Sequence, residues 1–138
     1  MQPGRASGIS RCTMPSLDDF DRLSPQIAAA LVYAKGSHTL ADVRAAIERG
    51  DAQLWPGVQS VIVTEVIRTP QQLELHYWLA GGDGREIQAM YPHISEWGRR
   101  IGCRVEKMVG RRGWERTWLT KEAGWEPLAV VYCKEIGV

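Results

Sequence analysis

The sequence predicts an α/β (α+β) domain with a mixed, mostly antiparallel central sheet and helices on both faces. Three observations carry this. The strand-like segments "AQLWPG", which ends at a Pro-Gly turn, "QSVIVTEVIR" and "LELHYWLA" follow one another with only tight turns between them, the pattern of an antiparallel meander. Beyond the meander, strand-like runs alternate with helical ones, so the later connections are crossovers and the sheet gains parallel pairing. Finally, 138 residues with 44% hydrophobic content are enough for one core. One domain over residues 1–138 is expected, with 1–15 as a flexible arm.

Taken in order, "RCTM" reads as a short strand before Pro15. Ser16 caps a short helix whose first turn holds Asp18 and Asp19, where carboxylates complement the helix dipole. Ser24-Pro25 restarts it as cap and first helical residue, and "PQIAAALVYAKG" runs helically to Gly36. In "TLADVRAAIERG", Thr39 and Asp42 form a capping box, Leu40, Val43, Ala46 and Ile47 fall on one face, and Gly50 ends the helix. The meander follows, with turns at "PG" and "TPQQ". The third strand runs into "GGDG", and a helix from Arg85 to Ile101 starts at once, with Ile87, Met90, Ile94, Trp97 and Ile101 spaced three or four apart. Pro92 is expected to kink it or split it in two. "CRVEKMV" alternates as a strand, "GRRG" turns the chain, a last helix spans about Trp114 to Glu122, and "PLAVVYCKE" is a closing strand. The six tryptophans sit mostly inside periodic segments, as core and half-buried rims, with Trp114 and Trp118 an i, i+4 pair facing inward.

Composition narrows the function classes. Seventeen basic against 16 acidic side chains give a net charge of +1, which argues against nucleic acid and an anionic membrane as partners. The local exception is "GRRGWER": Arg111, Arg112 and Arg116 either steer a nucleotide-bearing cofactor, an acidic partner or nucleic acid, or simply mark a turn. Cys12, Cys103 and Cys133 are too scattered for a disulfide framework or a zinc site and read as reduced core thiols. The three histidines are equally dispersed, with His38 and His93 near helix starts, and no metal set is expected. The apolar run "IAAALVYA" falls far short of the roughly 20 residues a membrane span needs, and "MQPGRASGIS" lacks a signal-peptide core. A soluble intracellular protein is expected, or one carried inside a particle assembled there.

"LELHYWLA" into "GGDG" and a long helix, then "CRVEKMV", and "AGW" before the last strand together resemble the Gcn5-related N-acetyltransferase (GNAT) superfamily. In that family a strand, a glycine loop and the following helix hold the pyrophosphate of acetyl-CoA, and a Gly-Phe precedes the closing strands; Gly124 and Trp125 stand in its place. More narrowly, "HTLADVRAAIERGDAQLWPG", "EWGRRIGC" and "GRRGWERTW" are similar to small acetyltransferase-like proteins of tailed bacteriophages and prophages, a likeness covering about residues 37–138. The resemblance implies a GNAT-like fold, acetyl-CoA as cofactor and an amine as second substrate. It implies an N-acetyltransferase or a cofactor-binding relative of one, in the bacterial host cytoplasm. The alternative is a non-catalytic, virion-associated structural or assembly protein partnered by other virion proteins.

The chemistry can be placed on residues. A pyrophosphate is held by unpaired N–H groups at the positive end of a helix dipole, and glycines let that backbone approach. The resemblance puts Leu79, Ala80, Gly81, Gly82, Gly84 and Arg85 at the cofactor, although Leu79 stands where the family pattern has Gln or Arg and Asp83 brings a negative charge. The same stretch also reads as an ordinary strand-to-helix turn. Acetyl transfer needs a base for the amine proton. Glu74 and His76 alternate onto one strand face, and Glu65 lies on the strand before. Each is equally read as a polar residue of a mixed sheet. The family's tyrosine acid, four residues before Gly-Phe, is replaced by Thr120.

Overall fold

The computed structural model describes residues 17–111 and 113–137. The expected arm, the "RCTM" strand, the Ser16 cap, Cys12 and Arg112 lie outside the described residues. The chain divides into two compact units, Met1–Met108 and Val109–Val138, described in turn.

In the first unit the elements are α1 (Leu17–Arg22), α2 (Ser24–Leu31), α3 (Leu40–Arg49), β1 (Gln53–Pro56), β2 (Val61–Arg68), β3 (Leu73–Gly81), α4 (Gly84–Arg100) and β4 (Cys103–Met108). The sheet order is β1-β2-β3-β4. The first three strands form the antiparallel meander, and β4, reached through the crossover α4, pairs parallel to β3. This is the expected mixed, mostly antiparallel sheet covered on both faces.

On one face, Phe20 of α1, Leu23 between the helices, Ile27 of α2 and Val43 and Ile47 of α3 pack with Leu54, Val61, Val63 and Leu79 of the sheet. Thr39 and Asp42 make the expected capping box, and Gly50 closes α3 in the left-handed conformation. On the other face lies α4: Trp97 meets Trp55 edge-on at 5.3 Å, and Gly98 admits Leu75, whose Cδ2 would lie 2.7 Å from an added Cβ.

Several local expectations are corrected. Ser24 does not cap α2; its hydroxyl donates back to the carbonyls of Phe20 and Asp21, tying the two short helices together. The regular helix stops at Leu31 and tightens into a 3₁₀ turn, Val32–Ala34, before Lys35 and Gly36 reverse the chain at φ 56° and 78°. Pro92 does not divide α4, which continues to Arg100. Pro92 is exposed, while Ile87, Ile94 and Trp97 anchor the helix on either side of it. His93 consequently lies mid-helix and exposed, not at a helix start.

In the second unit, the expected last helix is two short pieces, a 3₁₀ turn at Trp114–Arg116 and α5, Trp118–Lys121, with Thr117 capping the second. Trp114 and Trp118 are half-buried and Leu119 is the enclosed residue. The closing strand is absent: residues 125–137 carry no regular structure. "PLAVVYCKE" has strand composition, but a strand exists only where a ladder partner meets it. Cys133 is exposed, not a core thiol, and Cys103 is half-buried.

Candidate functional site

The geometry of interest begins at an irregularity in β3. Against β2, Thr64 pairs with Tyr77 and Val63 with Leu79, so Trp78 is an extra residue, a β-bulge. The bulge puts Trp78 against the same core as its neighbour Leu79 and leaves its ring edge-on to His38 at 4.9 Å. The ladder to β4 ends beside it, at Tyr77–Met108. Thus Trp78 to Gly81 continue without a β4 partner, and this stretch of strand runs directly to the start of α4. A bulge and a parting pair of strands at one point re-aim side chains and open a backbone edge.

At the end of that edge, the glycine turn is fixed from below. A Cβ on Gly81 would come 2.5 Å from the Gln26 carbonyl oxygen, and one on Gly82, at φ 119°, 2.6 Å from the backbone of Gln59 and Ser60. Both glycines are therefore packing requirements of the turn. Gly84 differs: nothing lies within 4 Å of the position its Cβ would take. Asp83 is the N-cap of α4 and accepts a hydrogen bond from the Arg85 N–H at 3.0 Å, while its own N–H donates to Ser60 Oγ at 2.8 Å. Glu86 clamps the turn further by accepting from the N–H groups of Val58 and Gln59. Hydrogen bonds from Ser60 and from those two amides hold its carboxyl below the usual carboxylate range. Leu79 is buried in the core and Ala80 half-buried, so those two offer a cofactor only main chain.

Before the bulge, the strands assemble a row of polar side chains. Glu65 pairs with His76 across β2–β3, and His76 pairs with Lys107 across β3–β4, so all three expected base candidates share one neighbourhood. Glu74 is its centre: buried, and accepting from His76 Nε2 at 2.8 Å, Gln72 Nε2 at 2.9 Å and Lys107 Nζ at 3.0 Å. The hydrogen bonds from His76 and Gln72, outweighing burial, hold the Glu74 carboxyl down to about 2. An ionised carboxylate can only accept, so the His76 nitrogen facing it carries the proton and, in the neutral ring, Nδ1 is left as acceptor. His76 is the last residue of this row before the strands part, and about 16 Å of strand separates it from Gly81.

The opposite face of β3 holds a second cluster that the sequence reading missed. The Glu106 carboxylate accepts from Tyr77 at 2.6 Å, Ser95 at 3.0 Å and Tyr91 at 3.2 Å. Burial first, then the hydrogen bond to Glu106, push the Tyr77 phenol far up, which makes it a poor acid. The available signal was the alternation of Val105, Glu106 and Lys107 on β4 together with the i, i+4 pair Tyr91 and Ser95 on α4. Lys107 was missed because strand order was needed to place it beside Glu74. Thr120, in the position of the family's tyrosine, donates to the Glu115 carbonyl. Among the described residues no group of three or more His, Cys, Asp or Glu is arranged to hold a metal ion, and no helix is long and apolar enough to cross a membrane.

No protein-family model matches the sequence, and no curated protein matches it. Solved structures do share the fold. A probable acetyltransferase superposes at a TM-score of 0.65 with 6% identity, over 90% of this chain and 95% of that one. A transcriptional regulator from Bacillus halodurans C-125 gives 0.65 with 10% identity over 89% and 97%. A possible acetyltransferase from Clostridium difficile 630 gives 0.57 with 10% identity over 90% and 95%. At these identities the likeness is one of fold, and it agrees with the mixed sheet described above.

Proposed function

We propose that this chain binds acetyl-CoA and acts as an N-acetyltransferase, with the cofactor's arm along the Trp78–Gly81 edge of β3 and its pyrophosphate at Gly84 and Arg85. The single observation that carries this reading is the coincidence of three features: the bulge at Trp78, the end of the β3–β4 ladder at Tyr77–Met108, and an imidazole immediately before both. The open space at Gly84 fits a phosphate approaching the start of α4. Asp83 fits only while its carboxylate stays turned back onto the Arg85 N–H, as it is here.

Bound acetyl-CoA would supply a thioester carbonyl open to attack by an amine, and as the C–N bond formed and the C–S bond broke coenzyme A would leave as its thiolate, recovering a proton from solvent. The protein's part is the proton. His76 takes it from the amine at Nδ1, because Glu74 engages Nε2. The imidazolium so formed is stabilised by the ionised Glu74 at 2.8 Å, a carboxylate held deprotonated by the hydrogen bonds from His76 and Gln72 and, to a lesser degree, by Lys107. Glu74 orients the base and does not itself accept the proton.

The test is calorimetric titration with acetyl-CoA of the full chain and of Gly84→Asp. The variant keeps the fold, since the position is open and an acidic residue suits a helix start. It should weaken binding at least about tenfold by opposing the phosphates. Absence of binding by the unaltered chain at millimolar cofactor overturns the proposal.

A second reading, a phage- or prophage-encoded assembly protein that keeps the fold without catalysis, is favoured by Thr120 in place of the tyrosine acid. It predicts that the protein co-sediments with purified virions, and recovery only in the soluble lysate overturns it.

A further inference from the structure

Lys107 has only a minor part in the proposed chemistry, although it is fixed beside its centre. Its Nζ lies 3.0 Å from Glu74 Oε2, yet the hydrogen bonds from His76 and Gln72 already keep that carboxylate ionised, and Lys107 adds least to the effect. The two oxygens are divided between partners: Oε1 accepts from His76 at 2.8 Å, while Oε2 accepts from Gln72 at 2.9 Å and faces Lys107. The strand ladders set this arrangement, since His76 pairs with Lys107 across β3–β4 and with Glu65 across β2–β3. The charged neighbours of the imidazole are therefore Glu74 on its own strand, Glu65 on β2 and Lys107 on β4. Among the described residues the ring makes no hydrogen bond or ion pair with a helix. Two carboxylates by themselves favour the imidazolium, and an imidazolium cannot take a proton.

We propose that Lys107 is a positioning residue that, acting through Glu74, sets the pH at which His76 becomes neutral and able to serve as a base. The proposal rests on the reading of His76 as that base. Glu74 must be negative to orient the ring, but its full charge would hold the proton that the ring has to release. A cation on the far oxygen offsets part of that charge without touching the imidazole. Removing the cation leaves the imidazolium better stabilised, so His76 gives up its proton only at higher pH. The side chains of His76 and Lys107 are 34% and 44% exposed, so solvent screens the coupling and holds it to about one pH unit.

NMR titration of the His76 ring in the full chain tests this, the signal being identified by its absence from His76→Ala. Lys107→Gln keeps a donor toward Glu74 and removes the charge, and the His76 midpoint should rise by about one pH unit. Lys107→Arg restores the charge and should return the midpoint to that of the unaltered chain. Lys107→Met supplies the same comparison if the glutamine variant does not fold. In turnover, the acid limb of kcat/KM should move up with the midpoint in Lys107→Gln and stay in place in Lys107→Arg. A lysine with a merely structural role predicts lower stability and an unmoved midpoint, and that result overturns the proposal. A midpoint that moves equally in the glutamine and arginine variants overturns it as well, as does an acid limb that stays in place when the midpoint moves. The midpoint is read without cofactor, so a chain that does not bind acetyl-CoA defeats the enzyme reading while the titration still decides the coupling.

Discussion

Glu74 is the residue on which the proposed chemistry turns, because it is enclosed, ionised and shared by three donors. Its carboxyl is held at about 2 in the folded protein against an ordinary 4.5, so the unfolded chain binds this proton more readily than the folded one. The stability it contributes is therefore full above about pH 5 and is lost as pH falls toward 2, amounting to up to about 3 kcal/mol. Urea unfolding across that range should reveal the loss, and Glu74→Gln should flatten it; an unchanged acid limb in the variant would place the linkage elsewhere. His76→Ala should lower kcat/KM by about 10²- to 10⁴-fold while leaving the calorimetric affinity for acetyl-CoA unchanged. The alternation of Glu74 and His76 on one face was legible from a two-residue period. Lys107, 33 positions along, was not, since only the parallel ladder sets it opposite His76.

At the scale of elements, the glycine turn separates into parts with different physical duties. Gly82 sits at φ 119° with backbone in the way of any Cβ, so Gly82→Ala should destabilise the fold by about 2 kcal/mol or more. Gly84→Ala meets nothing and should stay within about 0.5 kcal/mol. Thermal denaturation of the two variants checks the contrast, and equal losses would contradict the geometry. At α3, Thr39→Ala removes the acceptor for the Asp42 N–H and should lower stability by about 1 kcal/mol, readable as a shift in denaturant midpoint. Capping boxes and glycine terminators act over four residues, which is why α3 was readable to its ends. Ser24 was misread because its hydroxyl has two local outlets, forward as a cap or back to a carbonyl, and packing of α1 against α2 selects the second. Pro92 was misread for the converse reason, since buried side chains on both sides outweigh one lost hydrogen bond.

For the molecule as a whole, saturating acetyl-CoA should raise the melting temperature of the unaltered chain and leave that of Gly84→Asp nearly where it was, since a ligand stabilises only the state that binds it. The sequence by itself determined the order of elements from α1 to β4, the meander, the strand–turn–helix that follows it and the polar face of β3. All of these rest on periodicity and on turn chemistry within a few residues. Tertiary structure alone decided the bulge at Trp78, the parting of β3 from β4, the burial of Glu74 beside Lys107, and the fate of "PLAVVYCKE", which has the residues of a strand and no ladder. The reason is common to all four. Each depends on which strand edge lies beside which, a relation between residues far apart in sequence that no local period encodes.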